Sequence, residues 1–298
     1  MRWRHANFSA MMPRDERIFP VIRTFFLTGL LVFSVFPLRA EENPQSHRAI
    51  YDISLHSTAG GAAGVVNAKG KMSYRIQKVC GVWETESVFS LNVGYESTGA
   101  DTTNWRQVTR ESMDGCLFDF AVHVREKGVD RKDLQGGAVC RGGKKSLRLD
   151  FPVKSVAVLP KSVVFPVQQT MRLLSAAKSG KKSVSSYVYD GTRPESLYSV
   201  HAAVSPATGF RSAKVEGGDT ELLKNVRVWR FDTAFFDAFA LKSPSDGSPR
   251  YEVSMYVYEN GVGDRIVQDF GTHRLLSEMT QLERLPDLPC PPKAEGNL

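Results

Sequence analysis

Apolar and polar residues alternate along much of this chain, and the longest such run is Cys80–Tyr95, CGVWETESVFSLNVGY. Trp83, Thr85, Ser87, Phe89, Leu91 and Val93 share one parity there, and on a strand residues of one parity face one way. The run is too long for a short hairpin arm and predicts a central strand. Upstream, Ala49, Tyr51, Ile53 and Leu55 alternate, then Met72, Tyr74 and Ile76, with the glycine-rich turn 59–64 between them. After Tyr95 a polar loop is expected up to Trp105, Gln107 and Thr109, followed by a turn at Asp114–Gly115. Phe118, Phe120, Val122 and Val124 then alternate up to a Lys127–Gly128 turn, and Val139, Leu147, Leu149 and Phe151 continue the pattern. Short strands punctuated by glycine-rich turns predict an all-β sandwich or barrel.

One segment has a different period. Val167, Met171 and Leu174, flanked by Thr170, Leu173 and Ala177, recur at three and four, with Pro166 at the start and Gly180 beyond the end. This predicts one amphipathic helix over about 165–178, its stripe covering a sheet or plugging a barrel opening. With Arg172 and Lys178 as its basic residues, it lacks the polar face of a membrane-surface helix. Strands resume at Val184–Tyr189 and Leu197–Val204. A Gly/Ser/Pro-rich stretch covers 206–218, and Val226, Val228 and Trp229 lead into Phe231. Tyr251, Val253, Met255 and Val257 return through the Asn260–Gly261 turn to Val262, Ile266 and Phe270, a hairpin with the residues a tight turn demands. His273–Leu285 has an ambiguous period. Its place after a hairpin and before Pro286 argues for strand.

The first forty residues have a different character. Arg14, Arg17 and Arg23 precede the apolar run Thr24–Phe36, which ends in Pro37-Leu38-Arg39-Ala40, the layout of a signal peptide cut after Ala40. Leu38 is a tolerable residue at the −3 position, and Met11 and Met12 are alternative starts. A transmembrane anchor needs about 20 apolar residues, and extending this run backwards meets Arg23. The expected organisation is a cleaved segment 1–40 and one domain, 41–298, in the periplasm. Of the net charge of +7, the six Lys/Arg and two Asp/Glu of 1–40 account for +4, leaving +3. That balance is not the footprint of a nucleic-acid binder. Lys144–Lys145 and Lys178, Lys181 and Lys182 read as solvated loops.

Four cysteines, Cys80, Cys116, Cys140 and Cys290, all follow the cut, and an even count in an exported chain implies two disulfides. Three pairings are possible. Cys116 and Cys140 bracket a hairpin-like stretch and can be neighbours, which leaves Cys80 with Cys290. A four-thiolate zinc site is the alternative, disfavoured because no C-x-x-C pair exists.

Catalytic signatures are missing. There is no G-x-S-x-G, H-E-x-x-H, phosphate loop or G-x-G-x-x-G fingerprint. His47, His56, His123, His201 and His273 are scattered, and Asp52, Asp190, Asp264 and Asp269 fall at strand ends or turns. No enzyme, metal or cofactor is expected. Phe231, Phe235, Phe236 and Phe239 could line a ligand cavity, although clustered aromatics are more often core. With Met171 and Leu174 of the helix, Phe231, Phe235 and Phe236 form the candidate ligand or partner surface.

Four stretches in order resemble the EipB-like cell envelope integrity family. They are His47-Arg48-Ala49-Ile50-Tyr51-Asp52; Cys80-Gly81-Val82-Trp83; the Phe165–Pro166 helix running to Gly180 and on to Tyr189-Asp190-Gly191; and Tyr256–Val262 through Asp269-Phe270-Gly271, closed by Cys290. The resemblance implies a periplasmic protein whose antiparallel strands wind into a spiral-like, broken β-barrel with a helix at one opening. It also implies a Cys80–Cys290 disulfide, with Cys116 and Cys140 as additions. A non-enzymatic role in envelope integrity and stress resistance follows, exercised through a periplasmic partner, a repeat protein being one kind. A lipid or peptide held in the barrel mouth is the alternative function, and a membrane-embedded barrel is not expected because charged residues run through most strands.

Overall fold

The computed structural model describes residues 44–58, 64–238 and 247–290, all within one compact unit, Glu41–Leu298. The expected signal segment, the glycine turn 59–63 and Phe239 lie outside the described residues. One antiparallel sheet dominates. Its first arm is a meander: β1 (His47–Thr58), β2 (Val65–Val79), β3 (Val82–Tyr95), β4 (Gly99–Ser112), β5 (Leu117–Glu126), β6 (Val129–Arg141), β7 (Lys144–Phe151) and β8 (Ser155–Leu159). Then come β9 (Val163–Val164), α1 (Pro166–Lys178), β10 (Ser183–Tyr189), β11 (Leu197–Pro206), the short β12 (Gly217–Gly218), a 3₁₀ turn at Thr220–Leu223, β13 (Val228–Asp237), β14 (Tyr251–Tyr258), β15 (Gly263–Asp269) and β16 (His273–Arg284). The ambiguous segment before Pro286 is therefore strand, and the helix falls where its period placed it.

The strand order runs β8 to β1 and then β16 back to β9, with β12 beside β16. The first and last strands are thus hydrogen-bonded neighbours, paired from His47↔Arg284 to Thr58↔His273. The sheet's two free edges, β8 and β9, are consecutive in the chain. From Leu159 to Val163 is four residue steps, which can span at most about 14 Å. A sheet whose outermost strands must lie that close has to curl round on itself. The strands form a nearly closed barrel.

The edges overlap rather than pair. On β1–β7 the inward parity runs by direct cross-strand partnership through Tyr51, Met72, Phe89, Trp105 and Val124, and through Thr109, Phe120, Gly136 and Leu149. On β9 and β10, Val164 and Val188 share one face and pack with Tyr198 and Val200. Val163 and Tyr189 carry the opposite parity, and with Leu197 they pack on Phe118, Phe120, Leu147 and Leu159. One end of the sheet therefore lies inside the other, as in a spiral, sealed by apolar contact. Phe118 stacks on Phe165 at 4.5 Å between ring centroids and meets Tyr189 edge-on at 6.4 Å. Gly136 in β6 suits this wall, since a Cβ there would come within 2.5 Å of the Arg148 carbonyl and 2.8 Å of the Phe120 ring.

Two local expectations change. The stretch after Tyr95 is no loop: β4 starts at Gly99 and pairs with β3 from Tyr95↔Gly99 to Val82↔Ser112. Its polar run Asp101, Thr102, Thr103 and Asn104 looks like loop in sequence, but the ladder to β3 holds it extended. Strand β6 likewise begins at Val129, ahead of the Val139 from which it was legible.

Both disulfides form, Cys80–Cys290 and Cys116–Cys140, so no thiolate remains for zinc. Cys80 and Gly81 make a two-residue turn between β2 and β3 with φ of 50° and 76°, the left-handed pair that a twisted hairpin needs. A strap from Leu285 to Cys290 is tied across this end. Leu285 N–H donates to the Ser46 carbonyl (3.0 Å), Leu288 N–H to Lys78 (2.8 Å) and Cys80 N–H to Leu288 (2.8 Å). The outer face of the first arm carries cross-strand ion pairs such as Lys71–Asp52 at 2.7 Å and Arg106–Glu86 at 2.7 Å.

The Cys80–Cys290 bond closes a separation of 210 residues and Cys116–Cys140 one of 24. The loop-entropy model assigns them about 5 and about 3.5 kcal/mol respectively. Urea denaturation should show Cys290→Ser costing more stability than Cys140→Ser. Equal losses would mean that the strap is held without its sulfur link.

Candidate functional site

The barrel end with the Cys80–Gly81 turn is crossed by α1. A helix starting at Phe165 has no side-chain N-cap of its own, because phenylalanine offers no acceptor for the first amides. Strand β4 supplies one. Glu111, fully buried, accepts from Val167 N–H at 2.9 Å and Gln168 N–H at 2.8 Å, one carboxylate oxygen for each. The cap satisfies two orphan donors and sets a negative charge at the positive end of the helix. Burial pushes the Glu111 carboxyl up to about 7, against the amide hydrogen bonds and the Lys145 charge, which pull it down. Lys145 donates to the Val163 carbonyl at 2.7 Å and lies 4.8 Å from the Phe165 ring. Burial and then Arg172 hold its ammonium below the ordinary value.

The other end of α1 is tied by a second carboxylate. Glu259, at the β14 turn, takes Arg227 through two nitrogens at 2.7 and 3.0 Å and Lys178 at 3.3 Å. The Arg227 hydrogen bond outweighs partial burial and lowers the Glu259 carboxyl to about 2. Gly180, with φ of 77°, ends the helix, its N–H and that of Lys181 closing back on Ala177 and Ala176.

Between these anchors α1 touches opposite walls. Val167 packs with Ile76 and Trp83 of β2 and β3, and Met171 lies against the same group. Leu173, Leu174 and Ala177 pack with Ala202, Val204, Trp229, Phe231 and Val257 of β11, β13 and β14. Two polar pairs also face inward near the helix. Thr85 and Thr109 share a hydrogen bond at 2.7 Å, and Gln169 accepts from Ser186 at 2.6 Å. Towards the opposite end the inward side chains turn apolar and half-exposed: Leu55, Phe89, Leu91, Val93, Trp105 and Val124, with Phe89 stacked on Trp105 at 5.3 Å.

The residues grouped in sequence as a ligand or partner surface separate in space. Leu174 and Phe231 meet in the packed core under the helix. Phe235 stacks on Tyr251 at 4.4 Å and meets Tyr198 edge-on. Phe236 has the other parity and faces away, 5.7 Å from His201. Glu111 was not singled out in sequence; an acid on the inward parity opposite Trp83 and Phe118 was the available signal. Among the described residues no group of three or more His, Cys, Asp or Glu is placed to hold a metal, and no helix is long and apolar enough to cross a membrane.

The family described as EipB-like matches residues 39–286. The cell envelope integrity protein EipB of Brucella abortus (strain 2308) is 26% identical over 244 residues, covering 80% of this chain and 83% of its own. A crystal structure titled as a beta-barrel-like protein of a domain of unknown function, DUF1849, also from Brucella abortus, superposes with a TM-score of 0.72 at 22% identity. The match covers 82% of this chain and 99% of that one.

The two carboxylates give opposite pH signatures. Glu111 titrates higher folded than unfolded, so its contribution is full below about 4.5 and is lost as pH rises through about 7. Glu259 titrates lower when folded, so its contribution is present above about 4.5 and is lost as pH falls towards 2. Denaturation of Glu111→Gln should show a flatter stability profile between pH 4.5 and 7. Its amide offers one acceptor where two donors wait, which should cost about 1–3 kcal/mol. Hydrogen exchange should accelerate at Val167 and Gln168 amides; unchanged protection there would refute the cap.

Proposed function

The chain belongs to the EipB-like family, and from that premise we propose that it maintains cell envelope integrity as a non-enzymatic periplasmic protein acting through a protein partner. The observation that carries the reading is the match, over four-fifths of both chains, to a relative named for envelope integrity. The two disulfides support an oxidising compartment such as the periplasm. The charged outer face of the first arm supports a water-facing barrel, since a lipid-facing one needs an apolar outer band. Support for a binding role rather than a catalytic one comes from the chemistry of the buried ionisable groups. Glu111 is spent on capping a helix, and Asp264 accepts the backbone amides of Arg265 and Met279.

Deletion of the gene should sensitise cells to detergents and cell-wall antibiotics, with resistance restored by the wild-type copy. Full resistance in a clean deletion strain would overturn the proposal, as would a tagged protein that captures no periplasmic partner.

A second reading rests on the half-exposed apolar lining at the end opposite α1. There the protein holds a lipid or peptide, with Phe89, Leu91, Val93 and Trp105 as the receiving wall. Protein taken from the periplasm should then carry a lipid by native mass spectrometry, and Trp105→Ala should weaken binding of a fluorescent fatty acid several-fold. An empty protein that binds no fatty acid would remove this reading and leave the first intact.

A further inference from the structure

On the face of β13–β15 that bears Arg230, Ser254 and Tyr256 there is a cavity of about 500 Å³ that the barrel's interior does not share. Arg230, Arg265 and Arg274 converge on it, with Ser254, Tyr256 and His56 completing the polar wall. Two of the three guanidiniums are held in place by carboxylates. Arg230 bonds Asp232 through two nitrogens at 2.7 and 3.0 Å, and Arg274 bonds Asp269 at 2.6 Å. Each keeps further N–H donors that these bonds do not use. Tyr256 is itself fixed, stacked on Phe210 at 3.9 Å and 3°.

Arg265 differs from the other two. It is exposed and has no carboxylate partner among the described residues. Its backbone stands at φ of 47°, a left-handed conformation that favours glycine. The cause is a bulge: between Ser254↔Val267 and Tyr256↔Asp264, β15 advances three residues while β14 advances two. A buried carboxylate holds the bulge in place. Asp264 accepts from its neighbour's N–H, Arg265, at 2.6 Å and from Met279 N–H at 2.7 Å. Bulges of this kind re-aim a side chain, and a residue kept in an unfavoured conformation by buried support points to a role for that side chain.

We propose that this cavity is a binding site for a small polar ligand carrying a phosphate or carboxylate group, with Arg265 as the ligand-seeking guanidinium between the anchored Arg230 and Arg274. Planar guanidiniums match the paired oxygens of such groups. Glu252 is the lining's remaining acid, directly across the ladder from Asp269. It accepts a hydroxyl or amine of the same ligand, so the site suits a molecule with both an anionic group and donors. The inference stands apart from the envelope role and from the lipid reading, since neither uses this face.

Glycerol 3-phosphate has both features and is the soluble counterpart of a phospholipid headgroup. Calorimetric titration should detect saturable binding of it, or co-sedimentation should detect binding to phosphatidylglycerol vesicles over phosphatidylcholine ones; which probe binds separates a free ligand from a headgroup. Arg265→Gly removes the guanidinium and suits the left-handed backbone. It should weaken that binding at least tenfold while melting no lower than wild type, and Arg265→Lys should lose less. Absence of saturable binding to both probes, or binding unchanged in Arg265→Gly, would overturn the site.

Discussion

The architecture depends on apolar contact where hydrogen bonding stops. Strands β8 and β9 are the two ends of the sheet, and no ladder joins them. Val163, Phe165, Tyr189 and Leu197 instead lie against Phe118, Phe120, Leu147 and Leu159. Burial of aromatic and aliphatic area of this kind is non-directional, so it tolerates the offset that a spiral needs. Backbone pairing would demand a register that two overlapping edges cannot share.

This seam also explains the position of the helix. The chain leaves β8, turns within a few residues, and enters α1 directly from β9, so the helix begins where the two layers of the spiral meet. Its N-cap residue, Phe165, belongs to the seam cluster, and its first amides are taken by Glu111 from the facing wall. Glu259 with Lys178 ties its far end. The helix is thus fastened by charge at its ends and by packing along its length to walls that are not neighbours in the sheet.

Strand content, the late hairpin and the helix were legible in the sequence because period and turn chemistry are local signals. The 3.6 period of Val167, Met171 and Leu174 has no β alternative, and Asn260–Gly261 admits few conformations. What was not legible depends on partners distant in the chain. The polar start of β4 is extended because β3 lies beside it, and β6 hides behind Gly136 and Gly137, which make sense only against Phe120 and Asp119. The phenylalanine group failed as a unit for a related reason. Phe235 and Phe236 are adjacent in sequence and therefore point to opposite faces of one strand.

The pairing of β1 with β16 has a further consequence, in the order of synthesis. Every strand from β2 to β8 can add to a neighbour already made, but the open edge of β1 waits for a segment more than two hundred residues later. Contacts of such separation form slowly, and exposed strand edges invite wrong pairing in the interval. An emerging chain can accumulate the first arm, yet the ring itself has no partial version: it comes into being only once the final strand is free to join the first.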